Sequence, residues 1–200
     1  MKLAYTISAS PTRFAAVGQG RDVRSAIEYL AGLGYAGAEL AIRDPAEVNL
    51  DEVAATAARA RVVVPAIGTG QAFLEEGVAL AAAEEEVRER AVERLEAQVD
   101  AAGRLGEDNV GVLPDTFHMN IEEADMFEAL RRAGPRLWHL HVADSNRRAP
   151  GAGHLDFNQI VIALAGQGYT GAVSAEILPY PTLEVAAAQT LRVMEPLLAV

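Results

Sequence analysis

Two nine-residue stretches far apart in the chain, Leu30-Ala31-Gly32-Leu33-Gly34-Tyr35-Ala36-Gly37-Ala38 and Leu164-Ala165-Gly166-Gln167-Gly168-Tyr169-Thr170-Gly171-Ala172, agree at seven positions. Each closes a helical pattern and opens a short apolar one, with Gly34 or Gly168 at the junction supplying the left-handed residue that stops a helix. A short, apolar strand belongs in a sheet covered by helices. The unit of construction is therefore helix, tight turn, buried strand, repeated.

On that basis strands are predicted near residues 3–8, 38–42, 62–67, 110–114, 137–142 and 172–177. The accompanying helices are predicted near 22–33, 50–60, 84–105, 123–133, 156–167 and 182–198, the second with Asn49 and Glu52 in capping-box positions. Strict strand–helix alternation implies parallel strands with right-handed crossovers, and both a barrel and an open doubly wound sheet satisfy it. A full eight-unit barrel typically needs ~250 residues, whereas about six units are legible in these 200. No linker or low-complexity segment interrupts the chain, so a single domain over 1–200 is expected, with any discontinuity in the repeat placed near 106–107.

Half of the residues are hydrophobic, enough for one well-filled core. A formal charge of −11 argues against a nucleic-acid or anionic-membrane surface, because phosphate binding needs clustered Lys and Arg. The absence of Cys excludes disulfides, zinc–thiolate sites and a thiol nucleophile, and fits a reducing compartment. Met1-Lys2-Leu3-Ala4-Tyr5-Thr6-Ile7-Ser8 reads as a first strand, not a signal peptide. No segment approaches the ~18 apolar residues of a membrane span. A cytoplasmic protein is expected.

The chemistry sits at strand ends. Asp115 and His118 lie three residues apart where the apolar run Gly111-Val112-Leu113-Pro114 gives way to a polar loop. A second cluster follows in Trp138-His139-Leu140-His141-Val142-Ala143-Asp144-Ser145-Asn146-Arg147, and a third in Ser174-Ala175-Glu176. Groups able to bind a divalent metal thus recur at three successive strand ends. Pro114 cannot donate to a sheet ladder and suits a strand end or an edge; if a neighbouring strand is missing, it would face the vacancy. Segments 110–114 and 62–67 would then either pair, closing a six-stranded barrel, or remain two open edges.

The runs Asp115-Thr116-Phe117-His118-Met119-Asn120-Ile121-Glu122-Glu123 and His139-Leu140-His141-Val142-Ala143-Asp144-Ser145-Asn146-Arg147, with the trailing Pro150-Gly151-Ala152-Gly153-His154-Leu155-Asp156-Phe157, resemble motifs of the xylose-isomerase-like TIM-barrel sugar isomerases and epimerases. Glu39-Leu40-Ala41-Ile42-Arg43-Asp44-Pro45 and Val64-Pro65-Ala66-Ile67-Gly68-Thr69-Gly70-Gln71-Ala72 look most like its ketose 3-epimerase and 5-keto-gluconate epimerase branch. The resemblance implies a TIM-barrel-like (β/α) repeat shortened to about six parallel units, the fourth and fifth being missing. With them goes a fifth-strand Glu that in the family binds the metal and acts on the substrate carbon.

By the same resemblance, Asp115, His141 and Glu176 are the metal ligands, Glu176 is also catalytic, and His118 and Arg147 contact the substrate. Arg147 is alternatively a group that polarises Glu176. The implied ion is divalent, Mn²⁺ with Mg²⁺ or Co²⁺ as alternatives, since an oxygen-rich set with one His suits these ions. The implied partner is a small sugar, a ketose or keto-sugar acid, altered by proton transfer at the carbon beside its carbonyl.

Each residue has a plainer reading. Asp115 also suits a cap for the turn after its strand, and His139, two residues from His141 and on the same strand face, packs or braces. Glu39 reads as solvated or hydrogen-bonded, or as a replacement ligand. His154 reads as a substrate contact or a surface residue, and Arg43, Asp44 and Glu84-Glu85-Glu86 read as exposed charge.

A non-catalytic metal- or sugar-binding remnant is the alternative to an enzyme. An abasic-site endonuclease would need a His-rich multi-zinc site and a basic surface, which four His and a charge of −11 oppose. Truncated units would leave apolar faces uncovered, so a homo-oligomer is expected.

Overall fold

A computed structural model describes residues 1–105 and 112–199. Five parallel strands form a curled half-barrel in the order β3-β2-β1-β5-β4. They are β1 (Lys2–Ser8), β2 (Gly37–Ala41), β3 (Ile67–Gly68), β4 (His139–Val142) and β5 (Ala172–Ala175). Residues 112–115 continue the sheet beyond β4 through bridges from Val112 to Leu137 and from Asp115 to His141. The sheet is flanked by α1 (Val23–Leu33), α2 (Leu50–Ala60), α3 (Gln71–Glu76), α4 (Glu85–Leu105), α5 (Thr116–Glu122), α6 (Met126–Ala133), α7 (Phe157–Gly166) and α8 (Leu183–Leu198).

The first strand pairs with the last, Ala4 opposite Ser174 and Tyr5 opposite Ala175, as a ring requires. The sheet's two edges therefore come from the middle of the chain. Among the described residues no ladder joins 62–68 to 112–115, so the barrel stays open between them. The expected break near 106–107, and positions 110–111 of the expected fourth strand, lie outside the described residues.

The repeated motif performs as its residues require. Gly34 and Gly168 take positive φ values of 102° and 73°, and the Gly34 N–H returns to carbonyls of α1. Gly37 opens β2 against β1, where a Cβ would lie 2.8 Å from that of Ala4, so only glycine allows the strands this approach. Tyr35 stacks edge-on against Tyr5 and donates from its hydroxyl to Ala187 O in α8, locking the first turn to the last helix.

Four elements differ from expectation. The third strand is two residues long, because Pro65 has no N–H to contribute; Val63 and Ala66 still touch β2, the Ala38 and Leu40 amides donating to their carbonyls. Asp115 caps a separate helix, α5, so the helix expected from 123 starts at Met126, behind its own cap Asp125. Asn49 caps α2 as expected, accepting from Glu52 N, but α3, bounded by Gly70 and Gly77, is an added turn. Arg43 and Asp44 are not free surface charges: Arg43 pairs with Glu47 and Glu76, and Arg94 of α4 binds Asp44, Glu76 and the Arg43 carbonyl. With Gln98 donating to Ile42 O at 2.7 Å, these contacts pin α4 across the end of β2. Glu84, Glu85 and Glu86 are exposed, as expected.

Candidate active site

Alternation along each strand sends every second side chain inward. On β2 that is Glu39, on β4 His139 and His141, and just past β5 it is Glu176, following the Ala175 that pairs with Val142. Asp115 joins them because its backbone bridges to His141, whose N–H donates to Pro114 O at 2.9 Å. Pro114 thus uses its carbonyl inside the pairing. Thr116 fixes the junction: its hydroxyl donates to Ala143 O at 2.7 Å and accepts from Ala143 N at 2.9 Å, both buried.

Three donors converge here. His141 Nδ1 lies 3.9 Å from Asp115 Oδ2 and 3.8 Å from Glu176 Oε2, and one ligand atom from each residue falls within 4.8 Å of the others. Two carboxylate oxygens and one imidazole nitrogen make an oxygen-rich set that fits a hard or borderline divalent ion. Asp115 serves two purposes at once, since Oδ1 accepts from Phe117 N at 2.8 Å as the helix cap while Oδ2 faces the site.

Arg147 enters from the loop after β4. Asp144, fully buried, accepts from the amides of Ser145, Gly151 and Leu155 and so shapes that loop. Arg147 occupies the left-handed region at φ 57° and packs its guanidinium over the Phe117 ring at 5.1 Å. It donates to Glu176 Oε2 and lies 3.0 Å from His118 Nε2, which brings two predicted substrate contacts together at the rim. His118 is exposed on α5, and His154 is exposed in the loop after β4, where its backbone N–H donates to Ser145 Oγ at 3.2 Å.

A second cluster lies directly beneath. Glu39, 1% exposed, receives His141 Nε2 at 2.8 Å and His139 Nε2 at 2.8 Å, and His139 Nε2 is also 2.8 Å from Ser174 Oγ. Glu39 is thus hydrogen-bonded, one of its two plain readings, and not solvated, and it reaches the three donors through His141 Nε2. The sequence allows a hydrogen-bonded Glu39 without naming its partners; period-two alternation is the available signal, but it does not give a partner 100 residues away.

Burial by itself pushes the Glu39 carboxyl up, yet the His141 charge and the imidazole hydrogen bonds outweigh it and hold Glu39 well below the usual carboxylate range. Burial likewise opposes a charged His141, but Glu39, with Glu176 and Asp115, raises it to about 9. Glu176 is shifted upward, chiefly by burial and against the pull of His141 and Arg147.

Residues 103–197 match the family model described as xylose isomerase-like TIM barrel. Over this span the chain is similar to that family. D-psicose 3-epimerase from Agrobacterium fabrum is 51% identical over 72 residues, which is 36% of this chain and 25% of that protein. The chain thus aligns with about a quarter of the length of that curated relative. In fold the half-barrel is similar to D-psicose 3-epimerase from Clostridium cellulolyticum H10, solved with D-tagatose, with a TM-score of 0.71, 20% identity and coverage of 99% of both chains. It is also similar to an L-ribulose 3-epimerase structure, with a TM-score of 0.78, 19% identity, and coverage of 98% of this chain and 94% of that one. These likenesses bear out the fold and the family resemblance read from the sequence.

Proposed function

We propose that the protein is a metal-dependent sugar epimerase or isomerase, acting on a ketose or keto-sugar acid by proton transfer at the carbon next to the carbonyl. The observation that carries this reading is the convergence of Asp115, His141 and Glu176 from three neighbouring strand ends. A divalent ion held there, Mn²⁺ in preference to Mg²⁺ or Co²⁺, supplies a Lewis acid that polarises the carbonyl and acidifies the adjacent C–H.

The chain's own groups do the rest. Glu176 exchanges the proton through Oε1, the oxygen that Arg147 leaves free. His118 hydrogen-bonds a substrate oxygen, and Arg147 holds Glu176 while presenting its remaining N–H groups to sugar hydroxyls. The low-pKa Glu39 stays ionised and takes no proton from the substrate. Among the described residues no helix is long and apolar enough to cross a membrane, and the absence of Cys fits the reducing cytoplasm. Turnover of a ketose panel with Mn²⁺, compared between wild type and Glu176→Gln, tests the reading; equal rates exclude the role of Glu176.

A second reading rests on a specific observation. Among the described residues, of the carboxylates gathered here Glu39 is bound by two imidazoles and Asp115 caps α5, which leaves Glu176 alone placed for proton exchange. Epimerisation with a proton removed from one face and delivered to the other uses two such groups. A metal- or sugar-binding protein without turnover fits one, and Mn²⁺ binding by calorimetry with no ketose converted would select it.

A further inference from the structure

The proposed metal site uses one nitrogen of His141; the other is committed to Glu39. Glu39 Oε1 and Oε2 lie 2.8 and 2.9 Å from His141 Nε2, in a pocket where Glu39 is 1% exposed and His141 7% exposed. A carboxylate only accepts, so His141 Nε2 must carry the hydrogen. The remaining nitrogen, Nδ1, faces the space it shares with Asp115 Oδ2 and Glu176 Oε2, and it offers its lone pair there once its proton is displaced by a cation.

We infer that Glu39 is a positioning residue: its buried carboxylate selects the Nε2–H form of His141 and fixes the ring so that Nδ1 faces Asp115 and Glu176. The inference rests on the metal-binding reading above and adds to it the group that orients the central ligand. Carboxylates that accept from the distal nitrogen of a metal-bound imidazole set its tautomer and basicity, and their loss typically weakens metal binding ~10–100-fold. His139 completes the arrangement from the same strand face, since its Nε2 lies 2.8 Å from Glu39 Oε2 and gives the carboxylate a second imidazole partner. Because β4 supplies both imidazoles and β2 the carboxylate, the cluster also ties two strands that are not sheet neighbours across the concave face.

The test measures Mn²⁺ affinity by calorimetry, and by proton NMR the buried imidazole N–H of His141, a resonance well downfield of the amides. Glu39→Gln is expected to weaken Mn²⁺ binding ~10–100-fold and to shift or erase that resonance. A residue that merely stabilised the fold would lower the melting temperature and leave both readouts of the folded fraction unchanged; that result overturns the inference. Should Glu39→Gln fail to fold, nitrogen-15 spectra of the wild type with diamagnetic Zn²⁺ decide: retention of Nε2–H with Zn²⁺ at Nδ1 supports the inference, and the opposite assignment overturns it. If the wild type takes up no Mn²⁺ but the Nε2–H resonance depends on Glu39, the metal reading fails while the orienting role of Glu39 stands.

Discussion

Thr116→Val removes one oxygen from a buried bracket that joins the start of α5 to the end of β4. The Thr116 hydroxyl donates to Ala143 O at 2.7 Å and accepts from Ala143 N at 2.9 Å, and both residues are fully buried. Valine keeps the shape and β-branching, so packing is conserved. Each of the two lost hydrogen bonds leaves a buried backbone group unpaired at about 1–2 kcal/mol, for a total of about 2–4 kcal/mol. For a domain of this size that lowers the melting temperature by roughly 5–15 °C, at about 2–4 °C per kcal/mol. Thr116→Ser restores the hydroxyl and gives back most of the loss, except for a buried methyl worth about 0.8 kcal/mol. Urea unfolding of the three proteins at equal m values supplies the comparison. A Thr116→Val penalty under about 0.5 kcal/mol, or one no larger than that of Thr116→Ser, would refute the reasoning, because the bracket would then carry no stability.

Other outcomes follow from the same contacts. In the metal-free protein His141 is raised to about 9 from an ordinary value of 6.5, so its contribution to stability is fully present below pH 6.5 and lost as pH rises through 9. The urea midpoint is therefore expected to fall between pH 6.5 and 9, and to fall less in His141→Gln; equal slopes would contradict the pairing with Glu39. The open barrel leaves Val92, Leu95 and Val99 on α4, and Val112 and Leu113 beside β4, exposed. Self-association is expected, and light scattering that shows a strict monomer at high concentration would count against it.

Much of this arrangement is legible in the sequence because it is local. The Gly34 and Gly168 turns, the strands they introduce, and the strand ends at Asp115, His141 and Glu176 all announce themselves through neighbouring residues. What escapes is the long-range pairing. Glu39 looks like a lone acid on an apolar strand until β4 brings two imidazoles to it, and Arg43 and Asp44 look solvated until Arg94 reaches them from a helix 51 residues on in sequence. Pro65 is visible as a strand breaker, yet the carbonyls around it still receive β2 amides, so a predicted strand survives as a bridge and two paired residues. Asp115 hides a helix because one residue both ends a strand segment and caps α5.

The central claim is that Asp115, His141 and Glu176 surround one cation. Manganese-edge anomalous diffraction from crystals soaked in Mn²⁺ tests it most directly. The account predicts a single anomalous peak contacted by Asp115 Oδ2, His141 Nδ1 and a Glu176 oxygen. A peak at any other group of residues, with ordinary solvent at the centre of these three, would contradict it.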